Sequence, residues 1–204
     1  MKSKPLEFWF EFASTYSYLS IMRIEAVAEQ AGVEVLYRPF LLGPIFQGQG
    51  WDTSPFNLYP AKGEYMWKDM ARRSKAYGIP FHKPENFPVL SVYAARVALL
   101  GEDKNWCIPF IRAVFEAHFV DDQDISDPDI LEALLVELGV DGASVLHSAG
   151  AGNVKQRLRA RTEQAVELGI FGAPSFIVGR ELFWGDDRLE DALAEAISTE
   201  NLES

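Results

Sequence analysis

The chain has 204 residues, of which 48% are hydrophobic and 24% are charged, and its formal net charge is -11. This composition is typical of a globular protein and excludes a disordered chain. Because the charge is negative and no run of lysine or arginine forms a basic stripe, we expect neither nucleic acid nor an anionic membrane surface as a partner.

The single cysteine, Cys107, cannot form an internal disulfide, and it lies among apolar residues at helical spacing. This pattern predicts a buried core thiol. Residues 1–5 are not followed by the apolar segment of a signal peptide, and no stretch approaches the roughly 20 apolar residues of a membrane span. We therefore expect a protein of a reducing compartment, the cytoplasm.

Residues 6–12 alternate between two faces, which predicts a strand, and a helical pattern begins after Ala13-Ser14-Thr15. A helix that follows a strand directly aims its unpaired N–H groups and its dipole at whatever lies above the turn, and these stabilise an anion or a thiolate. Ser14 lies at that point. It is either a helix N-cap alone or a functional hydroxyl, and the acidic partner of a capping box is absent because position 17 is Ser17.

Gly32 ends this helix, and residues 33–38 (VEVLYR) predict a second strand parallel to the first. Residues 43–60 are rich in glycine, proline and aromatics without periodicity, which predicts a connecting active-site loop or a plain surface connection. Residues 61–169 show helical patterns and no strand-like alternation, which predicts an inserted all-helical domain. Its helices are predicted at 64–77, 88–100, 104–119, 127–139, 141–149 and 153–168.

Near the end of the chain, residues 175–178 and 181–184 predict a hairpin, and a last helix follows from 185 to about 198. The order β-α-β, helices, β-β-α predicts an α/β, thioredoxin-like domain of residues 5–42 and 170–198, interrupted by the helical insertion. In that fold the start of the first helix meets the turn before the third strand. Pro174 in that turn is either a plain turn proline or a cis proline that leaves the backbone of Ala173 open to an extended peptide.

Five stretches carry a family resemblance: FEFASTYSYL (10–19), RPFLL (38–42), PAKGEY (60–65), FGAPSF (171–176) and FWGDDR (183–188). The sequence resembles the 2-hydroxychromene-2-carboxylate isomerase and kappa-class glutathione transferase family, a thioredoxin-like branch related to disulfide oxidoreductase A. Within the family it is similar to the isomerase side.

The resemblance implies reduced glutathione as cofactor, with Ser14 as the catalytic residue beside its sulfur. It implies that the Ala173 backbone, before Pro174, pairs with the cysteinyl unit and that Lys62 reaches the glycine carboxylate. The γ-glutamyl end would be held by Asp186, Asp187 and Arg188. Glutathione has two carboxylates and one amine, so it needs cations and an acid at separate places. Lys62 and Arg188 can equally be solvated surface charges. Asp187 and Glu190 can equally form a helix capping box.

Two features depart from the family pattern. Thr15 stands where the family usually has proline, so the turn that carries Ser14 is expected to be less rigid. The segment 51–57 (WDTSPFN) is longer than its family counterpart, and the family's asparagine is therefore not assigned to Trp51, Asp52 or Asn57.

The function expected from this resemblance is glutathione-dependent cis–trans isomerisation of an intermediate of aromatic degradation. A thiolate would add reversibly to an enone of a small, planar, anionic aromatic substrate. The candidate pocket residues are Tyr16, Ser17, Trp51, Phe56 and Tyr65. The alternatives are a kappa-type transferase that releases a conjugate and a non-catalytic binding protein with this fold.

Two further expectations concern assembly and metals. The resemblance implies a homodimer. The three histidines show no metal-ligand spacing, so no metal is expected.

Overall fold

A computed structural model describes residues 3–198 of the chain. Its centre is a four-stranded sheet in the order β2-β1-β3-β4. The strands are β1 (Leu6–Phe10), β2 (Val35–Pro39), β3 (Ser175–Val178) and β4 (Glu181–Trp184). Strand β1 is parallel to β2 and antiparallel to β3, which pairs with β4 in an antiparallel hairpin. This confirms the predicted thioredoxin-like α/β fold.

The helices follow the predicted order, with additions. They are α1 (Thr15–Ala31), α2 (Leu42–Gly48), α3 (Pro55–Leu58), α4 (Pro60–Tyr77), α5 (Val92–Leu100), α6 (Cys107–Phe119), α7 (Pro128–Glu137), α8 (Gly142–Ala149), α9 (Gly152–Glu167) and α10 (Leu189–Ile197). A short 3-10 helix, Asp186–Arg188, precedes α10.

The prediction of a structureless loop at 43–60 is wrong, because α2 and α3 lie there. These helices have seven and four residues, too few for a hydrophobic period to show in the sequence. Local signals for α3 are nevertheless present, since the Ser54 hydroxyl accepts the N–H of Phe56 and Pro55 occupies the first turn.

Some predicted boundaries also move. Strand β2 begins two residues late because Gly32 adopts the left-handed conformation and the N–H of Val33 bonds to the carbonyl of Ala28. Residue 33 therefore completes the C-terminal cap of α1 before the strand begins. Helix α5 begins at Val92 and not at residue 88. Ser91, the residue before it, donates a hydrogen bond from its hydroxyl to Glu11.

Both faces of the two central strands, β1 and β3, are largely buried. Phe8 and Phe10 of β1 lie in the large core cluster, where the Phe12 ring lies 5.1 Å from that of Phe115 of α6. Trp9 points to the other face, into a smaller cluster with Phe40. The helical residues thus share one core with the sheet, and their division into a separate inserted domain stays a prediction.

Two further features of the described chain bear on function. Cys107 is buried in the large core, as predicted, and burial raises the pKa of its thiol to about 12. No helix within residues 3–198 has the length and apolarity needed to cross a membrane.

Candidate active site

The start of α1 is built around Ser14. Its extended backbone makes it the N-cap, and its Oγ accepts the N–H of Ser17 at 3.2 Å. The same hydroxyl donates to the carbonyl oxygen of Ala173 at 2.9 Å. Ser14 therefore joins the first turn of α1 to the turn before β3, the juxtaposition predicted from the fold.

The turn before β3 contains a cis bond between Ala173 and Pro174, so the cis alternative is confirmed. The Pro174 carbonyl accepts the N–H of Gly185 at 3.0 Å, which joins this turn to the one after β4. A side chain at Gly172 would overlap the indole of Trp184. Glycine is thus required there for the two turns to pack.

A large cleft opens beside Ser14, with a volume of about 990 Å³. This lies at the upper end of the range for small-molecule sites. The wall is formed by the turns around Ser14 and Ala173, by the segment from Leu41 to α4, by residues 87–92 before and at the start of α5, and by residues 184–187 at the end of β4 and in the turn after it. The helical residues therefore close the site over the sheet.

Glu11 is a buried member of the wall that sequence reasoning missed. It follows β1, and one carboxyl oxygen accepts the N–H of Ala13 at 2.9 Å while the other accepts the hydroxyl of Ser91. Burial outweighs these two bonds and raises the pKa of Glu11 to about 7. In the sequence, the only indication that Glu11 belongs to the site was its position three residues before Ser14.

Tyr16, the second residue of α1, lines the cleft, as predicted. Its hydroxyl donates to Asp69 of α4 at 2.9 Å. Burial and this bond raise the pKa of the phenol well above its ordinary range, so it keeps its proton. The sequence alone did not identify Asp69, because its spacing places it on a polar face of α4, where a solvated charge is expected.

Asp186 is the centre of a buried network. Its carboxylate is fully buried and accepts hydrogen bonds from Arg23 of α1 at 3.1 Å and from Arg73 of α4 at 2.8 Å. Ser20 donates to it at 3.0 Å, and Tyr77 donates at 3.3 Å. These bonds leave Asp186 committed to holding two helices against the turn after β4.

Asp187 and Arg188 differ from Asp186 in their exposure. Asp187 lines the cleft, whereas Arg188 lies outside its wall and pairs with Asp187 at 3.0 Å and with Asp191 at 2.7 Å. The capping-box alternative for Asp187 is wrong: α10 begins without a side-chain cap, and Glu190 pairs with Arg23 instead.

Lys62 lies in the first turn of α4, and its Nζ is 5.6 Å from the centre of the Phe56 ring. The close approach of α3 and α4 depends on Gly63, where a side chain would meet the carbonyl of Phe56. Lys62 lines the cleft, and so do the predicted pocket residues Trp51, Phe56 and Tyr65.

Three predicted site residues fall outside the wall. Ser17, in the first turn of α1, is fully buried and does not line the cleft, so its assignment to the substrate pocket is wrong. Pro174 is buried in the turn. Arg188 is the third.

The structure adds wall residues that had no distinguishing signal in the sequence. They include the apolar run 87–90, the ring pair Phe171 and Trp184 with centres 4.8 Å apart, and Arg73. Within residues 3–198, no group of three or more histidine, cysteine, aspartate or glutamate side chains could hold a metal ion.

Several known proteins resemble this chain in sequence and in structure. Residues 5–198 match the model of the DSBA-like thioredoxin domain. The chain is 28% identical to a Sphingobium xenophagum protein named 2-hydroxychromene-2-carboxylate isomerase, over 92% of this chain and 95% of that protein. It is 24% identical to a Homo sapiens protein named glutathione S-transferase kappa 1, over 92% and 88%. A solved structure of 2-hydroxychromene-2-carboxylate isomerase superposes with a TM-score of 0.82 at 26% identity, over 93% and 94%.

The fold and site thus define a thioredoxin-fold protein in which serine stands at the start of the first helix and a cis proline faces it. The chain belongs to the DSBA-like thioredoxin domain family. Its resemblance to isomerases and kappa-class transferases is confirmed.

Proposed function

We propose that this protein is a glutathione-dependent cis–trans isomerase that acts on a conjugated intermediate of aromatic degradation. The observation that carries the proposal is the position of Ser14, a cleft-lining hydroxyl at the start of α1 that faces the Ala173 carbonyl. The isomerase names of relatives that match over nearly the full chain support it.

The residues present fit glutathione. A helix start with a hydroxyl suits a thiolate, and the Lys62 ammonium suits the glycine carboxylate. The Asp187 carboxylate suits the γ-glutamyl amine, with Arg188 beside it. Asp186 would not contact glutathione, since its oxygens already accept hydrogen bonds from four side chains. It would instead hold the turn that carries Asp187.

When bound, glutathione supplies a thiolate that adds reversibly to a conjugated double bond and leaves after rotation, so it is not consumed. The N–H groups and dipole at the start of α1 lower a thiol's pKa towards neutrality. Ser14 has one proton to donate. Donation to sulfur instead of to Ala173 would free the Ala173 carbonyl for the N–H of an extended peptide.

The test is Ser14→Ala, assayed for isomerisation with and without glutathione. We expect turnover to stop without glutathione and kcat to fall by about 10²-fold in the variant, the usual effect of removing one hydrogen-bond donor to a reacting anion. Ser14→Thr, which keeps the hydroxyl, should recover activity.

Ser14→Ala also removes a helix cap, which costs about 1 kcal/mol of stability. Asp127→Ala is the matched control, because Asp127 caps α7 through the N–H of Asp129 at 2.9 Å and does not line the cleft. It should lose similar stability and keep full turnover. Turnover that persists without glutathione, or an unchanged kcat in Ser14→Ala, would exclude this mechanism.

The second candidate is a kappa-type transferase, favoured by the kappa-class names of relatives at 24% identity. Mass spectrometry of the product separates the two, because only a transferase adds the mass of the tripeptide. A non-catalytic binding protein would show neither reaction. A dithiol oxidoreductase is disfavoured, since positions 14 and 17 are serines and Cys107 is buried in the core.

We further infer a homodimer in the cytoplasm. The resemblance supports the dimer, and a single cysteine, which cannot form an internal disulfide, supports a reducing compartment. Light scattering of the purified protein and fractionation of cells test the two statements separately.

A further inference from the structure

Glu11 and Ser14 are the two ends of one turn that follows β1. The N–H of Ser14 donates to the backbone carbonyl of Glu11 at 3.0 Å, which closes a four-residue β-turn. The Cα atoms at the ends of such a turn lie within about 7 Å of each other. Both residues line the cleft. The Glu11 carboxyl is therefore a neighbour of a ligand sulfur that accepts the Ser14 hydroxyl.

The side chain of Glu11 is buried without a counter-charge in its hydrogen bonds. It is 7% exposed. Its two partners, the Ala13 N–H at 2.9 Å and the Ser91 hydroxyl, are both neutral. Burial disfavours the charged form of a carboxyl, and two neutral donors compensate for this only in part. An ionised Glu11 therefore gains free energy when it accepts a proton.

The other carboxylates of the wall are paired with cations or exposed to solvent. The ion pairs are Asp69 with Arg72 at 3.5 Å, Asp186 with Arg23 at 3.1 Å and Arg73 at 2.8 Å, and Asp187 with Arg188 at 3.0 Å. Asp52 is exposed between α2 and α3. The remaining titratable wall groups are Tyr16, Lys62 and Tyr65, and no histidine of residues 3–198 lines the cleft. A cation favours the ionised form of a carboxylate beside it, so Glu11 is the better proton acceptor of this wall.

The pKa of Glu11 suits a proton acceptor. Burial raises it from 4.5 to about 7, against the two hydrogen bonds, which lower it. Above that pH most molecules of the free protein carry the carboxylate, whereas a free thiol, with a pKa of about 8.5, still holds its proton. A base whose pKa lies near the working pH both accepts and returns a proton readily.

We propose that the Glu11 carboxylate takes up the thiol proton of glutathione when the tripeptide binds. This inference rests on the proposed function, because it requires glutathione in the cleft. An O–H bond forms on Glu11 as the S–H bond breaks, and the electron pair stays on sulfur. Glu11 returns the proton when glutathione leaves as a thiol.

The transfer keeps the charge of the site constant. The site holds one negative charge before it, on Glu11, and one after it, on sulfur, so the thiolate does not meet a second buried anion. The hydrogen bonds of Glu11 are also kept. One oxygen continues to accept the Ala13 N–H, and the Ser91 hydroxyl can turn to accept from the protonated oxygen.

The experiment counts the protons that enter the solvent when glutathione binds. Reduced glutathione is titrated calorimetrically at pH 7.5 in buffers of different ionisation enthalpy, and S-methylglutathione, which has no thiol proton, gives the baseline. Ultraviolet difference absorbance shows whether the bound sulfur is a thiolate. We expect a bound thiolate with release of only about 0.2 proton per glutathione, because Glu11 retains the rest.

Glu11→Gln removes the acceptor while a neutral hydrogen-bonding group stays in place. It should bind the thiolate with release of about 0.9 proton, the fraction that a thiol of pKa near 8.5 holds at this pH. From pH 7 to pH 8 its affinity for glutathione should rise about eightfold, against about 1.5-fold for the natural protein. Glu64→Gln, at an exposed position of α4 outside the wall, should behave as the natural protein.

Release of about 0.9 proton from the natural protein, together with a bound thiolate, would overturn the inference and leave glutathione binding intact. This outcome needs no variant, so it does not depend on the folding of Glu11→Gln. A bound sulfur that stays a thiol would overturn both the inference and the thiolate mechanism. If glutathione does not bind at all, the proposed function fails, and the inference fails with it.

Discussion

The buried carboxyl of Glu11 joins two parts of the chain that build the site. One oxygen holds the Ala13 N–H in the turn that carries Ser14, and the other holds Ser91 at the start of α5. Because burial raises its pKa from the ordinary 4.5 to about 7, the folded state keeps this proton at pH values where the unfolded chain has released it. The protein's stability must therefore depend on pH through this one residue.

Glu11→Gln tests that dependence. The folded pKa is the higher one, so the contribution of Glu11 to stability is fully present below pH 4.5 and is lost as the pH rises towards 7. A shift of this size corresponds to about 3 kcal/mol. Glutamine can accept from Ala13 and donate to Ser91, whose hydroxyl can reverse its role.

The measurement is urea unfolding of both proteins between pH 5 and pH 8. The free energy of unfolding of the natural protein, measured relative to that of Glu11→Gln, should fall by most of this contribution of about 3 kcal/mol as the pH rises. Glu64→Gln, at an exposed position of α4, is the control and should follow the natural protein. Parallel profiles for the natural protein and Glu11→Gln would show that Glu11 ionises in the folded state as it does in the unfolded chain.

At the scale of secondary-structure elements, Asp186 joins α1 and α4 to the turn after β4. Its carboxylate is fully buried, and the side chains of Arg23 and Arg73 are 13% and 25% exposed. Breaking a buried ion pair by removing one partner leaves the other charge uncompensated. The network thus makes the shape of the Asp187 turn depend on two helices that are distant in sequence.

Asp186→Asn should lower the free energy of unfolding by roughly 3 kcal/mol, since Arg73 loses its counter-charge and Arg23, which keeps Glu190, loses the buried one of its two. Asp187→Asn is the matched control: its side chain is 51% exposed and pairs with an exposed Arg188. It should change stability by no more than about 0.5 kcal/mol. Equal losses in the two variants by urea unfolding would mean that the network does not hold the turn.

The elements also show what the sequence could predict. The strand alternation of residues 6–12, Gly32 as a C-cap and Asp127-Pro128 as a helix start all act locally, so they were readable. The meeting of Ser14 with Ala173 followed from topology together with the resemblance. The pairing of Glu11 with Ser91 spans 80 positions, and that of Asp186 with Arg73 spans 113. No local pattern encodes such contacts, since they form only when the helices pack on the sheet.

At the scale of the whole molecule, the sheet and the helical residues share one core, and the cleft lies where they meet. A ligand that contacts both parts, such as glutathione at Ser14, Ala173 and Lys62, is therefore expected to stabilise the fold as a unit. A ligand that binds only the folded state raises its stability by mass action, independently of any turnover.

Thermal unfolding with and without reduced glutathione measures this linkage. At a hundredfold excess over Kd, binding should add about 2.7 kcal/mol, or roughly 5–10 °C for a chain of this size. Lys62→Ala should weaken binding about tenfold through loss of a charge-assisted hydrogen bond, and so should halve the shift at the same glutathione concentration. Lys68→Ala, exposed on the same helix but outside the cleft wall, should keep the full shift. Equal shifts in the two variants would remove Lys62 from the site, and no shift at millimolar glutathione in the natural protein would remove glutathione itself.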